Sequence, residues 1–184
     1  MALRIKSHWK DDERERSLPE IASALAYIAW RIALDKTINL HCERFVYRDD
    51  VQRLAVIQEY LVFLVQIADR LAHADLDEAD RRTLIVEFAK KLFGHVQDNS
   101  QDLLGPGDYG APFIALLDTR SGEYAEFQFA DDGPSYAFLR HLGHEIQSIM
   151  GESEENRWVI DQVMDKDGWD AYKHFARAYR NLFE

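Results

Sequence analysis

Glycine is missing from the first 93 residues, and proline occurs there once, at Pro19. All nine glycines, with Pro106, Pro112 and Pro134, come later. These residues punctuate a chain most strongly, so their absence predicts few tight turns and long unbroken elements as far as Gly94. Cysteine is scarce as well: the single Cys42 excludes an internal disulfide and fits a reducing compartment. The apolar run at residues 60–65 falls far short of the roughly 20 residues that a membrane-spanning helix needs. No basic cluster breaks a net charge of −11, so the counterion displacement that drives duplex binding has no surface to act from. Residues 1–6 lead into charge rather than an apolar signal core, and a cytoplasmic setting is expected.

The charge is divided unevenly. Residues 1–93 hold 15 basic and 16 acidic side chains, whereas residues 94–184 hold 7 and 17. At 184 residues, 47% hydrophobic and 30% charged, the chain fits one domain over 1–184. A chain of this length buries roughly 70% of its unfolded surface and needs no metal or crosslink to fold. Four stretches follow from the texture: a charged arm at 1–16, a long-helix bundle at 17–103, loop and hairpin at 104–134, and C-terminal helices at 135–184. The arm is expected to dock on its own domain or on a second subunit.

Ser17, Pro19 and Glu20 form a helix-start signature, and the first helix is expected to reach about Asn39. Ile21, Leu25, Ile28 and Ile32 make one apolar stripe, beside a second of Ala22, Ala26, Ala29 and Ala33. The alanines allow close approach of a helix from the same bundle, or of a symmetry mate. The next helix, from Asp49-Asp50 to about His73, is apolar nearly all round, which marks it as central. Gln52, Glu59, Gln66 and His73 form a heptad-spaced polar line on it, read as its narrow window to solvent. A third helix starts near Asp75 and Glu78 and presents Leu84, Ile85, Phe88, Leu92, Phe93 and Val96 on one side.

Residues 104–112 read as loop. Beyond them Ala125, Phe127 and Phe129 alternate with Tyr124, Glu126 and Gln128, which predicts a small β-hairpin near 113–129. Shorter helices follow at 135–150, 154–164 and 169–183, with Asp167 capping the last. The expected fold is a mainly α helical bundle of about six helices, three long N-terminal and three shorter C-terminal, plus that hairpin.

Reactive constellations are few. His141 and Glu145 stand one helical turn apart, as do Asp69 and His73, and imidazole with carboxylate at that spacing can share a cation. Facing each other with Glu59 between them, the two pairs would make a His/carboxylate metal site. The plainer reading has His141 and His144 at the surface, paired with local acids. Cys42 lacks a nucleophile motif, and the glycines at 105–112 lack a phosphate-binding pattern. No cofactor is implied.

These features point to a non-enzymatic protein-interaction or regulatory module. Tyr124, Phe127 and Phe129 are its expected partner-binding residues, and a protein partner or a homodimer is expected, without nucleic acid or membrane. The alternative is a small-ligand-binding domain or a metal-dependent enzyme built on Asp69, His73, His141 and Glu145.

Overall fold

The computed structural model describes residues 16–184, so the expectations for the charged arm lie outside the described residues except at Arg16. The protein is a mainly α bundle with a small antiparallel hairpin. Three long helices lead: α1 (Leu18–Cys42), α2 (Asp50–Asp75) and α3 (Glu78–Leu104). Then come α4 (Gly110–Tyr124), β1 (Phe129–Ala130), β2 (Gly133–Pro134) and α5 (Tyr136–Met150). A short α6 (Val159–Gln162) passes through a π-helical turn (Val163–Asp167) into α7 (Gly168–Phe183).

Local chemistry explains the boundaries. The Glu20 carboxylate accepts from both the N–H and the hydroxyl of Ser17, at 2.9 and 2.8 Å, closing the first turn of α1. Asp49 accepts from the Gln52 N–H at the start of α2. Asp77, rather than Asp75, caps α3 by accepting from Ala79 and Asp80. Gly105 and Gly151 follow α3 and α5 with positive φ, the usual stop for a helix. The Arg16 guanidinium donates to the Asn181 and Leu182 carbonyls, tying the start of α1 to the last turn of α7.

Helix α2 runs through the middle, touching α1, α3, α4, α5 and α7. By length and composition it could cross a membrane, but 78% of its most apolar stretch is buried inside the protein. The alanine stripe of α1 is wholly buried, and α1 packs most extensively on α3, so those alanines serve the chain's own bundle. The polar line of α2 differs from its expected role. Gln52, Glu59 and Gln66 are buried, and only His73 at its end is exposed. It faces α4 and α5 rather than solvent, because each of the three finds a partner there.

The hairpin exists, but at residues 129–134 instead of 113–129: Phe129 pairs with Pro134 and Ala130 with Gly133. Residues 110–124 are helical because Phe113, Leu117 and Tyr124 repeat with helical period and are all buried on one face. Pro112 sits in the first turn, where its missing N–H costs nothing, and Asp108 accepts from the Ala111 N–H. Gly133 has φ +116°, and a Cβ there would lie 2.5 Å from the Tyr172 ring, so only glycine fits. Gly143 similarly lets the Ile160 carbonyl of α6 come close to α5, with 3.0 Å left for a Cβ.

Asp167 does not cap α7 through its side chain. It belongs to the π-helical turn and is buried, accepting from Gln162 at 3.4 Å. Burial pushes its carboxyl up to about 6, against the pull of buried Lys36 and the Gln162 bond, while Glu43 and Asp170 add to the rise. Lys36 is paired directly with Asp170. With a folded pKa above the unfolded one, the folded state holds the extra proton. The stability tied to Asp167 is therefore present below about pH 4 and is lost as pH rises toward 6. Asp167→Asn should remove this loss, raising stability at pH 7.5 by on the order of 2 kcal/mol while changing little at pH 4. Urea unfolding of both proteins at the two pH values measures it; an equal effect at both excludes the titration.

Candidate functional site

The strongest convergence of charge lies where α2, α4 and α5 meet. Arg120 of α4 points inward and is 14% exposed. Its Nε and Nη2 donate to the Glu59 carboxylate of α2 at 2.9–3.2 Å. Nη1 donates to Glu123 at 2.8 Å, and Nη2 also pairs with Glu145 of α5. His141 closes the group, its Nε2 3.0 Å from Glu123 and its Nδ1 4.0 Å from Glu145. Three carboxylates thus surround one guanidinium.

Environment separates these acids. Burial raises the Glu59 carboxyl, against the hydrogen bonds and charge of Arg120. Glu123, less enclosed, is lowered: Arg120 and His141 outweigh the effect of its burial. Burial alone would lower Arg120, but its hydrogen bonds and proximity to Glu59, Glu123 and Glu145 raise it. The guanidinium is fixed as a cation.

An aromatic cluster backs this network. The Tyr124 ring lies 4.5 Å from Phe138 and 4.8 Å from His141, centre to centre, and Phe127 lies 5.3 Å from His141. Phe129 packs between Phe138 and Tyr172. Tyr124 is completely buried and its hydroxyl has no hydrogen-bond partner among the described residues. The three aromatics expected to bind a partner therefore point into the protein: Phe127 and Phe129 are half-buried against the core. A period-two pattern cannot tell which way a short segment faces once a helix replaces its first strand.

The four residues of the metal alternative are split between two arginines. Asp69 receives a bidentate pair from Arg81 of α3 at 2.8 and 2.7 Å, and His73 lies 3.3 Å from the same guanidinium. His141 and Glu145 belong to the Arg120 group. Glu59 does join His141 and Glu145, as the spacing implied, but through Arg120. Among the described residues Asp69 and His73 meet Arg81 instead. Among the described residues no three His, Cys, Asp or Glu side chains are placed to hold a metal ion. What sequence reasoning missed is Arg120 itself, 61 positions from Glu59.

A second feature lies on the opposite, outer face of α1. Tyr27 and Ile38 stand there 56% and 52% exposed. Two grooves run along it beside α7. One, about 630 Å³, is lined by Ile28, Arg31, Asp35, Ile38 and His174. The other, about 410 Å³, is lined by Ala24, Tyr27, Ile28 and Leu182. Arg31 donates to the Tyr27 hydroxyl at 3.3 Å, and Asp35 is 63% exposed. The surface is apolar toward its two ends and carries one charge of each sign at its middle, Arg31 and Asp35.

No known protein family matches the chain, and no solved structure matches it. An inositol-1-monophosphatase of Mesorhizobium japonicum is 29% identical over 82 residues. That stretch covers 45% of this chain but 27% of that protein, so the chain spans about a quarter of its relative's length.

Two outcomes test the inner network. Arg120→Met leaves three acids without their cation and should cost roughly 3–5 kcal/mol at pH 7.5. The loss should shrink near pH 5, because unpaired buried carboxyls take up protons. A penalty equal at both pH values would show that packing, not charge, is lost. Phe127→Ala should lower stability by roughly 2 kcal/mol, less than a fully enclosed phenylalanine costs. Thermal unfolding checks this, and an unchanged Tm would place Phe127 outside the core.

Proposed function

We propose that this protein is a cytoplasmic interaction module that docks through the outer face of α1 and the groove beside α7. The observation that carries this reading is the exposure of Tyr27 and Ile38 on one face of α1, beside half-buried Ile28, which lines both adjoining grooves. Exposed apolar side chains gathered around grooves mark contact sites more often than those scattered singly do. The hairpin aromatics, first expected to form the interface, are packed against the core and expose less apolar surface than Tyr27 and Ile38, which favours α1 for the partner-binding role. The inner charged network supports the reading from the other side, since its acids are already committed to Arg120 and its histidine to Glu123, and together they hold three helices in register. The likeness to the inositol-1-monophosphatase contributes nothing to this reading, since only 27% of that protein is spanned.

A photoreactive amino acid at position 38 or 27, introduced in cells making the full chain, tests it. Discrete adducts should form from both positions and be absent from a control at Lys91, on the exposed side of α3. Equal, diffuse labelling at all three positions, or none, removes the α1 face as an interface.

A further inference from the structure

We propose that the partner on this face is α1 of a second copy of the same chain, packed antiparallel along its outer seam. This rests on the docking reading above and supplies its occupant. The argument begins with spacing. Ala24, Ile28, Arg31, Asp35, Ile38 and Cys42 follow one another at alternating steps of four and three residues. That alternation keeps side chains on one seam of a helix and is the pattern of helices that pair with helices. Five of the six line the two grooves, and Cys42, at the last turn of α1, is exposed.

Charge then chooses the orientation. In a parallel pair, equivalent positions meet, so Arg31 would face Arg31 and Asp35 would face Asp35. Such like-charge contacts are costly when desolvated. In an antiparallel pair centred on residue 33, Arg31 faces Asp35 of the second copy, and the symmetry makes this contact twice. The same register sets Ile28 against Ile38 of the second copy, and Ala24 against its Cys42. From its N-terminal end the seam reads apolar, plus, minus, apolar, and from its C-terminal end apolar, minus, plus, apolar, so two antiparallel copies bring unlike charges together. A two-fold interface requires that property, since both copies contribute the same patch. Within one copy Arg31 is bonded to the neutral Tyr27 hydroxyl, while Asp35 lies 3.5 Å from Lys36, whose shorter pair is with Asp170, and at 63% exposure Asp35 keeps room for a second cation. The two Arg–Asp contacts serve mainly to set orientation and register, while the isoleucines and Tyr27 supply the buried apolar area.

Sedimentation of the full chain over a concentration series tests this, starting from a chain mass of 21.4 kDa. Wild type should pass reversibly to twice that mass. Arg31→Asp and Asp35→Arg should each weaken the dimer by at least about tenfold, because each puts like charges opposite each other. The double variant R31D/D35R should restore it, since swapping both signs rebuilds both contacts; both sites are exposed, and unchanged melting confirms the fold. A second arm fixes the register. In Ala24→Cys, diamide should take one hydrogen from the introduced thiol and one from the Cys42 thiol of the other copy, leaving a disulfide-linked dimer. That dimer should vanish in A24C/C42S. Wild type crosslinking through Cys42 alone would mean parallel pairing and overturn the proposal. So would a monomer at every concentration, or a double variant as weak as the singles. A monomer that still gives discrete photo-adducts from position 38 with another protein would lose the second copy and keep the docking reading; loss of both ends both.

Discussion

Gln52, Glu59 and Gln66 stand seven residues apart on the most buried helix of the protein, and burial obliges each to find its hydrogen bonds inside. Each finds a different piece of the C-terminal half. The Gln52 amide donates to the Ile149 carbonyl at the end of α5, while its oxygen accepts from the Arg48 N–H. Glu59 takes Arg120 of α4, and Gln66 donates to Ser121 one residue further on. A helix apolar on every side tolerates rotation and sliding against its neighbours. Three buried polar groups on one line do not, because a shifted register leaves them unpaired at about 1–3 kcal/mol each, more for the charged one. The placement of α4 and α5 follows from this line, and the aromatic cluster around Tyr124 follows from the placement of α4 and α5.

The same device secures the irregular stretch between α5 and α6. Asn156, buried in that stretch, donates to the Val46 and Met150 carbonyls and accepts from the Val46 N–H. Gln147 donates to the Gly151 and Asn156 carbonyls and accepts from the Ile160 N–H. Two amide side chains thereby join the α1–α2 connection, the end of α5 and the start of α6. At the π-helical turn the accounting is less complete: Asp167 holds one long bond, and its charge acts on the buried, unpartnered Tyr60 hydroxyl.

Sequence patterns revealed features that depend on one helix and concealed those that depend on two. The glycine-free stretch, the Ser17–Glu20 start and the all-round apolarity of α2 are local, and the three long helices follow from them. The alanine stripe was equally readable. Residues 113–124 carried two competing patterns, and the helical one prevailed because burying Phe113, Leu117 and Tyr124 together outweighs a half-buried edge strand. Pro112 in a first turn, four residues after Asp108, was the local signal that favoured it. The polar line of α2 was visible as spacing, but the side it faces was set by Arg120 and Ser121, far along the chain. The pairs Asp69–His73 and His141–Glu145 were read correctly as neighbours on their helices. Which cation they meet depends on the packing of α3 and α4, to which helical spacing is blind.

An arginine in that place has consequences that a metal ion would not have. A guanidinium brings five donors in a fixed plane, stays charged at any pH the protein meets, and cannot exchange with solvent ions. It answers Glu59, Glu123 and Glu145 from a single side chain of a neighbouring helix, so forming the network and docking α4 are one event. The surplus negative charge of the C-terminal half is thereby partly carried inward, against one cation whose position is fixed by α2. Helix α1 takes no part in this network. Its inner side is committed through small alanines to the bundle, which lets α3 approach closely, and its outer side is left with isoleucines and one charge of each sign. The two sides of α1 therefore obey different rules, one for packing within the chain and one that, on the proposal made above, matches a second copy by charge.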